Sequence, residues 1–155
     1  MKNRRVIAAL AVALLTGVGV AVALGAQSET SQQTFRAGFG VLKGANEVGD
    51  GDRNGRGSFT GIIDGNRLCF GIAVANIADP IAAHIHRGAK GVDGGVVVTL
   101  KHPRKGDPGA SHGCTGISSS LADELRSNPN GFYVNVHNEP FPDGAVRGQI
   151  FNRAG

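Results

Sequence analysis

His84 and His86 stand two residues apart in Ala82-Ala83-His84-Ile85-His86, and His137 closes a second apolar run, Phe132-Tyr133-Val134-Asn135-Val136-His137. On a strand, residues two apart emerge from one face about 6.5 to 7 Å apart along the backbone, close enough for both imidazoles to reach one ion. If the second run lies beside the first, His137 completes a set of three neutral imidazoles with an open position, which suits copper or zinc. Histidines at strand ends also serve simply as caps, each ring bonded to a loop carbonyl. Both readings stand at this level.

Other chemistry is less well supplied. Glu47, Glu139 and Asp143 are candidates for a loop-end carboxylate cluster with His137, and otherwise read as turn and surface residues. Arg147 projects opposite to Val146 and Gly148, where an ion pair with a carboxylate is expected rather than anion binding. His102 and His112 flank the Pro- and Gly-rich segment HPRKGDPGASHGC and read as solvated loop histidines. There is no Gly-x-Ser-x-Gly elbow, and Ser118 to Ser120 look like a helix start. Asp123 and Glu124 are adjacent, so on a helix they face different sides and form no acid/base pair. No catalytic residue is assigned.

The elements that must position these side chains follow from composition and period. With 25 glycines in 155 residues, well above the usual share of about 7 %, the chain is built for strands and turns. Aromatic residues make up only 5 %, with no tryptophan, which sets aside a broad aromatic ligand platform. Phe35, Ala37, Phe39 and Val41 alternate with Arg36, Gly38 and Gly40, the period of a strand with one face on a core. Ser58–Ile63, Asp64-Gly65-Asn66 and Leu68–Val74 read as a hairpin, with Leu68, Phe70, Ile72 and Val74 on one face and Cys69 on the other. Ala82–His86, Val96–Leu100, Phe132–His137 and Ala145–Phe151 supply four more short strands. One helix is expected near 118–127, with Ser120 and Asp123 as a capping-box variant and Asn128-Pro129 as its stop. The expected fold is all-β: a Greek-key β-sandwich or barrel of about seven strands with that one short helix. An internal echo supports it, since His86 and His137 are each followed by a loop and then by Asp-Gly (Asp93-Gly94, Asp143-Gly144) opening a new strand. Both histidines are thereby expected at carboxyl strand ends, where loops cluster.

Lys2, Arg4 and Arg5 precede Val6–Ala26, an uncharged and mostly apolar stretch that reads as a secretory signal and is also long enough for an N-terminal membrane anchor. Residues 27–34 read as a flexible polar spacer, and 35–151 as the folded domain. Without those three cations the 16 Lys and Arg fall to 13 against 12 Asp and Glu, so no cationic stripe for phosphates remains and nucleic acid is excluded as a partner. Export into an oxidising compartment favours pairing the only two cysteines, Cys69 and Cys114. On the chain-entropy account a bridge over that separation contributes about 4 kcal/mol. Because Cys69 points away from the apolar face, the bridge is expected to tie a covering loop to that side.

Leu42-Lys43-Gly44-Ala45-Asn46-Glu47-Val48, Ala82–Gly88, Gly95–Val98, Tyr133–His137 and Gly144–Ile150, in that order, resemble the chordin (CHRD) domain over about residues 35–151. The resemblance implies an extracellular all-β module and brings no catalytic residue or cofactor with it. Gly49 departs from the pattern, where proline is common. A local resemblance links His84, His86 and His137 to the copper half of copper-zinc superoxide dismutases. The further histidines of that family's zinc loop have no counterpart here beyond His102 and His112, so a bridging-imidazole dismutase is not implied. Two functions are expected from these readings. One is an exported binding or structural module without turnover, whose partner is an extracellular or cell-envelope ligand. The other is a copper or zinc protein, with redox activity as its extension.

Overall fold

A computed structural model describes residues 38–152. The signal or anchor segment 1–26, the spacer 27–34 and the first residues of the expected opening strand lie outside them.

Among the described residues nine antiparallel strands form one sheet. They are β1 (Gly38–Lys43), β2 (Arg56–Asp64), β3 (Arg67–Ala75), β4 (Pro80–Arg87), β5 (Val96–Leu100), β6 (Gly109–Gly116), β7 (Phe132–Asn138), β8 (Val146–Gln149) and β9 (Phe151–Asn152), with one helix, α1 (Ser119–Ser127), between β6 and β7. The spatial order is β5-β4-β7-β8-β1-β2-β3-β6, with the short β9 paired to β1. The sheet curls until its two end strands approach: the Ser111 hydroxyl in β6 donates to the Lys101 carbonyl just past β5, at 2.6 Å. The result is a nearly closed barrel with the core inside. Among the described residues no helix is long and apolar enough to cross a membrane.

The hairpin of β2 and β3 forms as its sequence dictates, with Gly65 taking the positive φ of the turn (54°). Leu68, Phe70, Ile72 and Val74 all point inward. In β1 the period of two is correct and its phase is reversed. Gly38, Gly40 and Leu42 face the interior, while Val41 is exposed and Phe39 packs outside on Phe151, ring centroids 6.3 Å apart. A Cβ on Gly40 would lie in ordinary contact with Phe59 Cβ, at 3.4 Å.

Four further expectations are corrected. The segment around His112 is not a loop but an eighth path strand, β6, paired along its whole length with β3. Its sequence, GASHGCTG, buries no large apolar residue, so hydrophobic periodicity gave no signal for it. Cys69 and Cys114 are joined by a disulfide and stand directly opposite in the β3–β6 register, so the bridge fastens an edge strand rather than a covering loop. Ala145–Phe151 is split into β8 and β9 around the buried Ile150. At the helix, Ser118 rather than Ser120 is the cap, its hydroxyl accepting from the Leu121 N–H at 3.2 Å. Asp123 pairs with Arg126 at 3.1 Å.

Candidate metal centre

β4 and β7 are adjacent and antiparallel, with His84 opposite Asn135 and His86 opposite Tyr133. Ala83, Ile85, Val134 and Val136 fill the barrel interior. By alternation His84 and His86 share the outer face of the sheet with Tyr133, Asn135 and His137. His86 and His137 each stand next to the carboxyl end of their own strand, as the echo implied, but neighbouring antiparallel strands end at opposite rims, so the rings do not meet at one end. They meet in mid-face, His137 lying diagonally from His84. A register shift between Pro80 and Ala82 leaves Ile81 57 % exposed, despite sharing the parity of the buried Ala83 and Ile85.

An outer sheet face is ordinarily solvated, yet Tyr133, Asn135, His137, His86 and Arg147 are all buried. Loop residues that follow β1, β4 and β7 supply their partners. His86 Nδ1 bonds the Gly94 carbonyl at 2.9 Å, and His137 Nδ1 bonds the Pro142 carbonyl at 2.9 Å. Each ring is thus held by the loop that follows its own strand, which gives the Asp-Gly echo a structural meaning. Such bonds place the proton on Nδ1 and leave Nε2 as a free electron-pair donor. His84 Nδ1 lies 3.1 Å from His137 Nε2. His86 Nε2 is buried without a hydrogen-bond partner. One nitrogen from each of the three rings falls within 4.8 Å of the other two.

Burial lowers the proton affinity of His84 and His137 below the ordinary histidine range. The charges of His137 and His86 act on His84 in the same direction. In His137 the Pro142 carbonyl opposes the shift and His86 adds to it. Both rings are thereby favoured in the neutral form that a metal requires.

The carboxylates expected beside His137 fall elsewhere. Glu139 and Asp143 are exposed, and among the described residues neither bonds a histidine ring; backbone carbonyls take that role. Glu47 does reach the same face, accepting from Asn135 Nδ2 at 3.2 Å. Its burial pushes the carboxyl up to about 7 against the pull of Arg147. A pocket of about 640 Å³ opens between the loops, lined among others by Glu47, His86, Asp93, Tyr133 and Pro142. Arg147 forms the expected ion pair, with Asp93 at 2.9 Å. His102 bonds the Pro103 carbonyl, and His112 is exposed on β6; neither joins the centre. Sequence reasoning missed Tyr133 and Asn135. Their only signal was parity, since both alternate with inward valines on the strand that ends at His137.

Fold and site together define a class: a small antiparallel β-barrel module with a loop-covered histidine cluster on its outer face. The CHRD domain model matches residues 39–150, and the chain belongs to the CHRD domain family. No curated protein and no solved structure matches the chain.

Proposed function

We propose that this CHRD domain is an extracytoplasmic binding module whose ligand is a transition-metal ion, copper or zinc, held by His84 Nδ1, His86 Nε2 and His137 Nε2. The observation that carries the reading is the unpartnered, buried Nε2 of His86 beside the 3.1 Å approach of the other two nitrogens. A buried polar atom without a partner is costly, roughly 1 to 3 kcal/mol, and an ion at the shared point would satisfy it. Nitrogens at about 2.0 to 2.1 Å from zinc stand some 3 to 4 Å apart, and the three here already lie within 4.8 Å of one another. The two carbonyl-held Nδ1 protons are the outer support that metal-bound histidines ordinarily have. Three imidazoles leave a coordination position open, which suits exchangeable ligands and, for copper, redox chemistry.

CHRD domains are extracellular, and the Cys69–Cys114 bridge fits an oxidising compartment. Export through the N-terminal apolar segment belongs to the same proposal. The test is metal content and titration of purified protein with Cu(II) and Zn(II). One ion per chain is expected for the wild type, with a loss of affinity of at least tenfold in His86→Gln and an unchanged circular dichroism spectrum. Wild-type protein that takes up neither ion, or a His86→Gln variant with unaltered affinity, overturns the reading and leaves the three histidines as strand caps.

A further inference from the structure

A second group of buried polar contacts links the histidine centre to β8. Arg147 is 1 % exposed, and its guanidinium spends all its bonds on the loop that follows β4. Nη1 donates to Asp93 Oδ1 at 2.9 Å, and Nη2 donates to the carbonyls of Ala89 at 3.1 Å and Val92 at 2.6 Å. Two residues on, Gln149 donates to the Gly88 carbonyl at 2.6 Å. Both side chains leave β8 on its outer face, so this strand clamps the loop from Gly88 to Asp93. The next residue, Gly94, carries the carbonyl that holds His86 Nδ1. Gly94 lies so close to β4 that a Cβ there would fall 1.6 Å from the Arg87 carbonyl oxygen.

The same cation also acts through a ring. The Arg147 guanidinium carbon sits 3.4 Å from the centroid of Tyr133, and the His86 imidazole stacks on Tyr133 with centroids 4.8 Å apart and planes 8° from parallel. The Tyr133 hydroxyl accepts from the Gly94 N–H at 3.2 Å. His86 is therefore fixed twice, in its plane by the Gly94 carbonyl and across its face by Tyr133, and both supports rest on Arg147.

We infer that Arg147 is a positioning residue for the histidine centre, setting the orientation of His86 through the 88–94 loop and the Tyr133 ring without touching the ion. The inference rests on the metal reading above. Lysine cannot replace it, because a single ammonium does not offer the planar fork that reaches a carboxylate and two carbonyls while lying on an aromatic face.

Copper(II) and zinc(II) titrations and the Cu(II) electron paramagnetic resonance spectrum are to be compared for wild type, Arg147→Lys, Arg147→Met and Asp93→Asn. Loss of supports of this kind ordinarily lowers affinity 10- to 100-fold. Arg147→Met is expected in that range, with an altered copper hyperfine pattern, and Arg147→Lys is expected to fail to restore the wild-type spectrum. Asp93 is exposed, so Asp93→Asn keeps the barrel intact and is expected to shift affinity and spectrum in the same direction by a smaller factor. A folded Arg147→Met protein with wild-type affinity and spectrum overturns the inference while leaving the metal site standing. If Arg147→Met does not fold, an Asp93→Asn protein with wild-type affinity and spectrum overturns it equally. Wild-type protein that binds neither ion overturns the metal reading and the inference together.

Discussion

At the residue scale the outer face of β4, β7 and β8 sets two opposed proton-binding tendencies side by side. His84 and His137 bind protons less readily folded than unfolded. The unfolded chain therefore takes up protons first, and stability falls as pH drops below the ordinary histidine value of 6.5. Glu47 has the reverse sign. Its carboxyl rises from 4.5 to about 7 on folding, so between those values the folded state holds a proton that the unfolded chain has released, and stability falls as pH rises. Glu47→Gln removes only the second slope. Urea denaturation at pH 5, 6 and 7.5 is expected to show the variant gaining on wild type with rising pH, to a difference on the order of 1 kcal/mol after allowance for partial solvent screening. A difference that stays flat across this range refutes the assignment. Gly144 marks how tightly this region is packed: its φ is 151°, and a Cβ would lie 2.7 Å from Glu47 Oε1 and 2.6 Å from Asn135 Nδ2.

At the scale of elements, β6 is an edge strand with little side-chain burial to hold it. It contributes no buried large apolar side chain, its partner on the sheet path is β3, and the Cys69–Cys114 bridge lies in the middle of that pairing. Reduction, or the double change of Cys69 and Cys114 to Ala, is expected to cost about 2 to 4 kcal/mol in denaturant unfolding. Hydrogen exchange should accelerate first over residues 109–116, while metal affinity is unchanged because the histidines lie on β4 and β7. Protection in β6 that survives reduction would show that the ladder alone suffices. The contrast with β7 is instructive. Every residue of β7 is buried, its valines inward and its polar residues under the loops, so that strand is held from both faces.

For the whole molecule, the centre joins two neighbouring strands and, through their carbonyl-bonded loops, a larger part of the chain. An ion bound to the folded state alone must therefore raise global stability by mass action, about 2.7 kcal/mol at a concentration one hundred times the dissociation constant. Thermal unfolding followed by circular dichroism is expected to move upward with added Zn(II) for the wild type and by clearly less for His86→Gln. Equal shifts in the two proteins would mean that the ion binds elsewhere.

Features that depend on local chemistry and on short-range period were legible in the residues alone. They include the all-β class, the β2–β3 hairpin with its Gly65 turn, the single helix, the inward face of β3 and the pairing of the two cysteines. They also include the His-x-His spacing that puts His84 and His86 on one face, since alternation along a strand is a property of the backbone. Which face that is depends on how the whole sheet packs. In β1 the phase is reversed, with Gly38, Gly40 and Leu42 facing inward and Val41 outward, and a period of two reads the same in either phase. β6 was invisible for the complementary reason: a strand held by a ladder and a disulfide needs no hydrophobic alternation. The approach of His137 to His84, the carbonyls of Gly94 and Pro142 behind the rings, and the clamp of Arg147 on the 88–94 loop all join residues distant in sequence. Their meeting depends on β4, β7 and β8 being neighbours and on loops folding back over an outer face, and both are settled by the packing of the whole barrel.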